Sequence, residues 1–136
     1  MKRIPMNPFL RGALGVDAIA SGAMGIALSA APGLLARLLG LPEALLYHVG
    51  VFLIAYAMFV AGIALRSRPT SLLVSAIIVG NGVWVIGSLL LISGGWVGPT
   101  LLGYAFVIAQ ALAVGVFAEL QFIGVRKAAP IATAAT

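Results

Sequence analysis

Four long apolar segments constrain the fold of this chain more than any other feature. Each reaches or exceeds the ~20 residues with which a helix crosses ~30 Å of hydrocarbon. The segments are continuously apolar rather than alternating, which favours helices over the strands of a membrane barrel. We therefore predict an all-α fold, a four-helix transmembrane bundle with antiparallel neighbours, in which residues 1–136 form a single membrane domain. The predicted helices span about residues 9–31, 44–65, 70–93 and 99–125.

The basic residues predict how these helices are oriented. If the chain starts inside the cell and crosses four times, seven of its eight Lys and Arg residues lie on the cytoplasmic side, and only Arg37 lies outside. This is the positive-inside pattern, and it predicts that the N- and C-termini are both cytoplasmic. The seven residues are Lys2, Arg3, Arg11, Arg66, Arg68, Arg126 and Lys127.

The composition excludes several classes of protein. Hydrophobic residues make up 62% of the chain and charged residues 8%, against about 25% charged residues in soluble domains. The net charge of +5 does not indicate nucleic-acid binding, because the basic residues lie at segment ends and form no patch. With no cysteine, one histidine and three acids, we expect no disulfide, no metal site and no cofactor. We also expect no enzyme, since no phosphate loop, activated nucleophile or carboxylate pair is present.

The first outer connection, residues 32–43, is too apolar for a solvated loop. Leu34, Leu35, Leu38 and Leu39 fall on one helical face, which predicts a short amphipathic helix at the membrane interface. Both a lid over the end of the bundle and a gate over a lateral opening fit this pattern.

The sequence raises a different question at each end of the chain: whether the first segment is cleaved, and whether the tail is ordered. Lys2 and Arg3 precede an apolar run that ends in small residues, as in a signal peptide. We expect the run to be retained as a helix, because it is long enough to span a membrane and contains Asp17. The tail over 128–136 is small and polar, and we expect it to be disordered.

Small residues recur at four-residue spacing in the first segment. Ala18 and Gly22, Ser21 and Gly25, and Gly25 and Ser29 are such pairs. Faces of this kind let helices approach closely in lipid. We expect this segment to pack tightly against a neighbour, either within the bundle or in a dimer.

Polar residues occur at similar depth in all four segments. Asp17, Tyr56, Asn81 and Gln110 each lie roughly 12–17 Å from a membrane face, near the bilayer midplane. We predict that they form one central polar cluster. Trp84 lies about one turn further out, where it either packs in the core or against lipid or forms part of the wall of the site.

Asp17 is the polar residue that most needs an explanation. An ionised aspartate at mid-bilayer costs at least ~2.5–3.5 kcal/mol, so Asp17 either stays protonated or faces a partner or a wet cavity. The cluster is then either an interhelical clamp or a site for a proton, substrate or ligand.

A second acid, Glu119, lies on the same face as Arg126, where it is either a solvated acid or an exit step for a proton leaving Asp17.

Part of the chain resembles the DoxX-like group of small bacterial four-helix membrane proteins. The matching elements cover about half the chain, from Ala31-Pro32 through Leu38-Leu39-Gly40-Leu41-Pro42, Gly50 and Tyr56-Ala57 to Ala64-Leu65-Arg66. The resemblance implies a four-helix bundle in a bacterial inner membrane, with no activity or functional residue to carry over.

The chain is also similar to small multidrug-resistance transporters, which have four short helices and an essential membrane acid in the first. Asp17 is similarly placed. The acid is Asp rather than Glu, however, and the first loop is much longer.

We therefore expect a non-enzymatic, multi-pass protein of a bacterial inner membrane. It is a structural or accessory subunit, as a homo-oligomer or in a larger membrane complex, or it binds a lipophilic ligand within the bundle. The alternative is a proton-coupled transporter of a small solute that uses Asp17 as its proton and substrate site.

Overall fold

The protein is all-helical in the part that the structure, a computed structural model, describes: residues 2–134, with side chains up to residue 128. Four of the helices are long and apolar enough to cross a membrane, as the sequence predicts. These are α1, α3, α4 and α5, and α2 is the short helix between the first two. The helices span Pro8–Ala30 (α1), Pro32–Leu39 (α2), Glu43–Ala64 (α3), Ser71–Ser93 (α4) and Leu101–Ala134 (α5).

The helix bounds differ from the expected ones mainly at the last helix. The ends of α1, α3 and α4 each lie within one residue of the bounds read from the sequence. By contrast, α5 continues to Ala134, through most of the tail that we expected to be disordered, and residues 135–136 lie outside the described residues. The tail contains several alanines, which favour a helix, and α5 continues past Pro130, which removes one backbone donor.

Two glycines allow α1 and α3 to cross in direct backbone contact. A Cβ atom on Gly25 would lie 2.8 Å from the carbonyl oxygen of Gly50, and one on Gly50 would lie 2.7 Å from the amide nitrogen of Ser29. No side chain fits at either position without a shift of backbone. The small-residue face of α1 therefore packs within the chain.

The four long helices of the bundle do not pack against one another equally. α1 packs against both α3 and α5, and α4 packs against α5. α3 and α4 make few contacts with each other, although a short turn joins them. The backbones are therefore least closely packed on the side between α3 and α4.

Helix α2 covers the end of the bundle opposite the chain termini. It packs on α3 and α5, with Leu39 buried and Leu35 partly buried against the apolar core. Leu34 and Leu38 remain exposed, so the leucine face is split between the bundle and its surroundings.

The end that carries the N-terminus is closed by backbone and side-chain contacts. The amide of Ile4 donates to the carbonyl of Pro69 (2.9 Å), and Arg11 Nε donates to the carbonyl of Ala64 at the end of α3 (2.8 Å). Above these contacts lies a compact apolar layer, in which the buried residues are Leu10, Leu14, Val60, Ile63, Val74 and Ile77. This layer separates Asp17 from the N-terminal end of the bundle.

The crossing of α1 and α3 yields a stability prediction. Gly50→Ala should destabilise the bundle by about 1–3 kcal/mol, because the added methyl group meets backbone atoms of α1. Thermal unfolding in detergent, followed by circular dichroism, measures the change. The matched control is Gly62→Ala on the same helix, where a Cβ atom meets open space. The control should leave the midpoint unchanged or raise it, and an equal loss in both variants would contradict the prediction.

Candidate functional site

Asp17 is the centre of a network that joins all four long helices. Its side chain is only 1% exposed. Oδ2 accepts hydrogen bonds from the Tyr56 hydroxyl (2.8 Å), Asn81 Nδ2 (3.0 Å) and Gln121 Nε2 (2.7 Å). Oδ1 accepts from the Ser21 hydroxyl, one turn further along α1 (3.1 Å). We call these five residues the carboxylate cluster.

The partners of Asp17 also contact one another. The Tyr56 hydroxyl lies 2.9 Å from Asn81 Oδ1, and Asn81 Nδ2 donates to Gln121 Oε1 at 3.0 Å. Among the described residues, no Lys, Arg or His side chain hydrogen-bonds to Asp17, and every buried side-chain nitrogen or oxygen has a partner. The carboxyl group is thus held by neutral dipoles alone.

The four partners of Asp17 supply one proton fewer than the number of short contacts within the carboxylate cluster. The cluster makes six short contacts. Ser21 and Tyr56 each supply one proton, Asn81 supplies both amide protons and Gln121 supplies one, which leaves a single contact without a proton. The Tyr56 hydroxyl therefore faces two acceptors, Asp17 Oδ2 and Asn81 Oδ1, with one proton to donate.

Gln110 does not join this cluster, contrary to the sequence prediction. It lies in a second group, which we call the indole cluster, with Trp84 and Ser88. Trp84 Nε1 donates to Gln110 Oε1 (2.8 Å), and Gln110 Nε2 donates to Ser88 Oγ (2.9 Å) and to the carbonyl of Val107 (2.8 Å). The Ser88 hydroxyl donates to the carbonyl of Trp84 (2.8 Å). The structure therefore contains two separate polar clusters where the sequence predicts one.

The sequence prediction chose the wrong glutamine of α5 because it misjudged the depth of the helix. The depth of Gln110 is counted from Pro99, near the α2 end of the bundle. The depths of Asp17, Tyr56 and Asn81 are counted from the other end, and their cluster lies nearer to that end. Gln110 and Gln121 are eleven positions apart, about three turns, so they share a face of α5 and differ by about 16 Å in depth. This spacing is the signal that could have identified Gln121, which is fully buried.

Glu119 lies away from both clusters. It is exposed on α5, two positions before Gln121, and side chains at that spacing point to nearly opposite sides of a helix. The placement gives no contact with Asp17 through which a proton could pass to Glu119.

A cavity of about 560 Å³ lies at the opening between α3 and α4, on the side nearer to α2. Its polar side chains are Ser88, Trp84 and Gln110 of the indole cluster, and the rest of its wall is apolar. The rings of Phe52 and Trp84 stack across the opening, with centroids 6.1 Å apart. We call this the α3–α4 cavity; its apolar wall includes Leu28, Leu41, Leu46, Val49, Leu53, Val83, Leu91 and Phe106.

A smaller cavity of about 240 Å³ lies next to the carboxylate cluster. It shares Phe52 and Trp84 with the α3–α4 cavity, and its wall also contains Ser21, Tyr56 and Asn81. The two clusters thus lie beside two neighbouring cavities that share part of their walls.

Comparisons with protein-family models, with curated proteins and with solved structures find no match for this chain. The resemblance to DoxX-like proteins stays a prediction from the residues that carry it. The two clusters and the cavity between α3 and α4 are the features from which a function can be argued.

From the contacts of the carboxylate cluster we predict that Gln121 stabilises the folded bundle and that Glu119 does not. Gln121→Leu removes a donor to Asp17 and an acceptor for Asn81, and an unsatisfied buried polar group costs about 1–3 kcal/mol. Glu119→Leu, the matched control on the same helix, should change stability by less than about 0.5 kcal/mol. Thermal unfolding in detergent compares the two, and equal midpoints would show that the network contributes no net stability.

Proposed function

We propose that this protein is a non-enzymatic, multi-pass membrane protein that binds a lipophilic molecule in the α3–α4 cavity. The observation that carries the proposal is the cavity itself, about 560 Å³, between two helices whose backbones approach each other closely at few positions. Ligand pockets typically measure about 300–1,000 Å³ and combine an apolar wall with a few polar groups. A bilayer molecule can reach this pocket from the side.

The cavity favours ligand binding over a purely structural role. Side chains that filled a space of this size would gain packing contacts, so a bundle that keeps the space open gives up that stabilisation. The glycines at its edge, Gly80 and Gly87, leave space that larger side chains would fill. A subunit that only had to be stable would gain from filling that space.

The charges at the two ends of the bundle support the orientation that we propose. We place the protein in a bacterial inner membrane with both termini in the cytoplasm. Of its eight Lys and Arg residues, two precede α1, one lies in the first turn of α1, two lie between α3 and α4, and two lie in the last third of α5, whereas Arg37 in α2 is the exception. The positive-inside pattern supports this orientation.

Filling the cavity should abolish binding. Gly80→Leu places a side chain in the α3–α4 cavity without a backbone clash, because a Cβ atom there meets open space. The probe is a dodecanol brominated next to its hydroxyl carbon, and the readout is quenching of Trp84 fluorescence in nanodiscs. A Trp96→Phe background removes the other tryptophan. We expect saturable quenching in the background protein and its loss, by about tenfold or more in affinity, in Gly80→Leu.

The matched control for this experiment is Gly82→Leu. It makes the same substitution on the same helix, at a position with open space that lies outside the cavity wall. It should retain saturable quenching. Quenching that rises linearly with probe in every protein, as expected for partition into the bilayer, would overturn the proposal.

A second candidate function is proton-coupled transport of a small solute at Asp17. The observation that favours it is a buried carboxyl group that is held by four neutral side chains. The smaller cavity beside Tyr56 and Asn81 gives a solute access to the cluster. A cation and a proton that compete for one carboxyl group would be coupled.

Asp17→Asn tests the transport candidate. Titration of the purified protein with tetraphenylphosphonium should release protons, and the variant should release none, because an amide has no exchangeable acid proton. Ser21→Ala, which removes one donor to Asp17 and keeps the acid, should still release protons. If Asp17→Asn releases protons as the unmodified protein does, the transport candidate is wrong.

A further inference from the structure

The indole cluster has a definite hydrogen-bonding polarity. The indole N–H is donor-only, so the oxygen of the Gln110 amide must face Trp84 and the nitrogen must face Ser88. The orientation of the amide is thus fixed by chemistry.

Every donor of the indole cluster is already used within the protein. Trp84 donates to Gln110, both amide protons of Gln110 go to Ser88 and Val107, and the Ser88 hydroxyl donates to a backbone carbonyl. What remains free is acceptor capacity. Gln110 Oε1 and Ser88 Oγ each accept one hydrogen bond and each has a second lone pair.

We propose that the ligand of the α3–α4 cavity is a lipophilic alcohol, an apolar molecule whose single hydroxyl donates to Gln110 Oε1 or Ser88 Oγ. Both residues line the cavity, and the side chains around them are aliphatic or aromatic. A ketone or ether brings only acceptors to a site that offers only acceptors, and a hydrocarbon leaves the polar spot unused. This inference rests on the proposed function and specifies the ligand class.

The first test compares competitors for the same cavity. Dodecanol, dodecanone and dodecane are each titrated against the bound brominated dodecanol, with Trp84 fluorescence as the readout in the Trp96→Phe background. One hydrogen bond to the ligand corresponds to about three- to tenfold in affinity, so dodecanol should displace the probe at correspondingly lower concentration. Equal displacement by all three compounds would mean that the cavity holds acyl chains without regard to polarity, and would overturn the inference.

The second test changes the site from one that offers a hydrogen-bond acceptor to one that offers a donor. Gln110→Met keeps a similar side-chain length but removes the acceptor of the Trp84 N–H, which then becomes a free donor. The preference should shift from dodecanol towards dodecanone in this variant. A variant that still prefers dodecanol as strongly as the unmodified protein contradicts the role of Gln110.

Two further variants keep the inference testable. Leu91→Met alters the same cavity wall and leaves the indole cluster intact, so it should keep the preference for dodecanol. If Gln110→Met does not fold, Ser88→Ala removes the other free acceptor and should reduce the preference, and an unchanged preference counts against the inference. Saturable binding without a preference for the alcohol refutes the ligand class alone, whereas no saturable binding at all refutes the proposed function.

Discussion

The arrangement of this bundle depends on one buried carboxyl group. Asp17 lies at the middle of α1, and an acid in that position needs partners because lipid offers none. Each of the other three long helices supplies one: Tyr56, Asn81 and Gln121. These contacts fix the depth and rotation of every helix relative to α1, including α4, which has no close backbone contact with α1. Apolar packing alone would specify this register weakly, since lipid tails are as apolar as leucine.

The carboxylate cluster also divides the bundle into two unlike halves. Towards the N-terminus the helices are sealed by an apolar layer that includes Leu10 and Leu14, and by the segment before α1. Towards α2, α3 separates from α4 and leaves the α3–α4 cavity. A side chain in the closed half improves packing, whereas a glycine such as Gly80 in the open half preserves space. The division is what makes the second half suitable for a ligand.

The sequence was sufficient for the helices but not for their register. Length and apolar composition predicted four spans, and the small residues around Gly25 predicted close packing of α1. Depth counting placed Asp17, Tyr56 and Asn81 together, because α1, α3 and α4 end where the sequence indicates. It failed for α5, because the depth of Gln110 was counted from the opposite end of the bundle to the other three residues. Nor does any pattern in the sequence say that α3 and α4 diverge, since that depends on how α1 and α5 pack between them.

Phe52 connects the two clusters physically. Its ring stacks on Trp84 of the indole cluster, with centroids 6.1 Å apart, and on Tyr56 of the carboxylate cluster, at 6.3 Å. A ligand that moves the Trp84 ring therefore changes the packing of Phe52 and, through it, the position of the hydroxyl that contacts Asp17. Coupling between two sites requires an element that both of them bias. If cavity occupancy and protonation of Asp17 prove to be linked, shortening the stack with Phe52→Leu should weaken the link, because a smaller side chain cannot contact both rings.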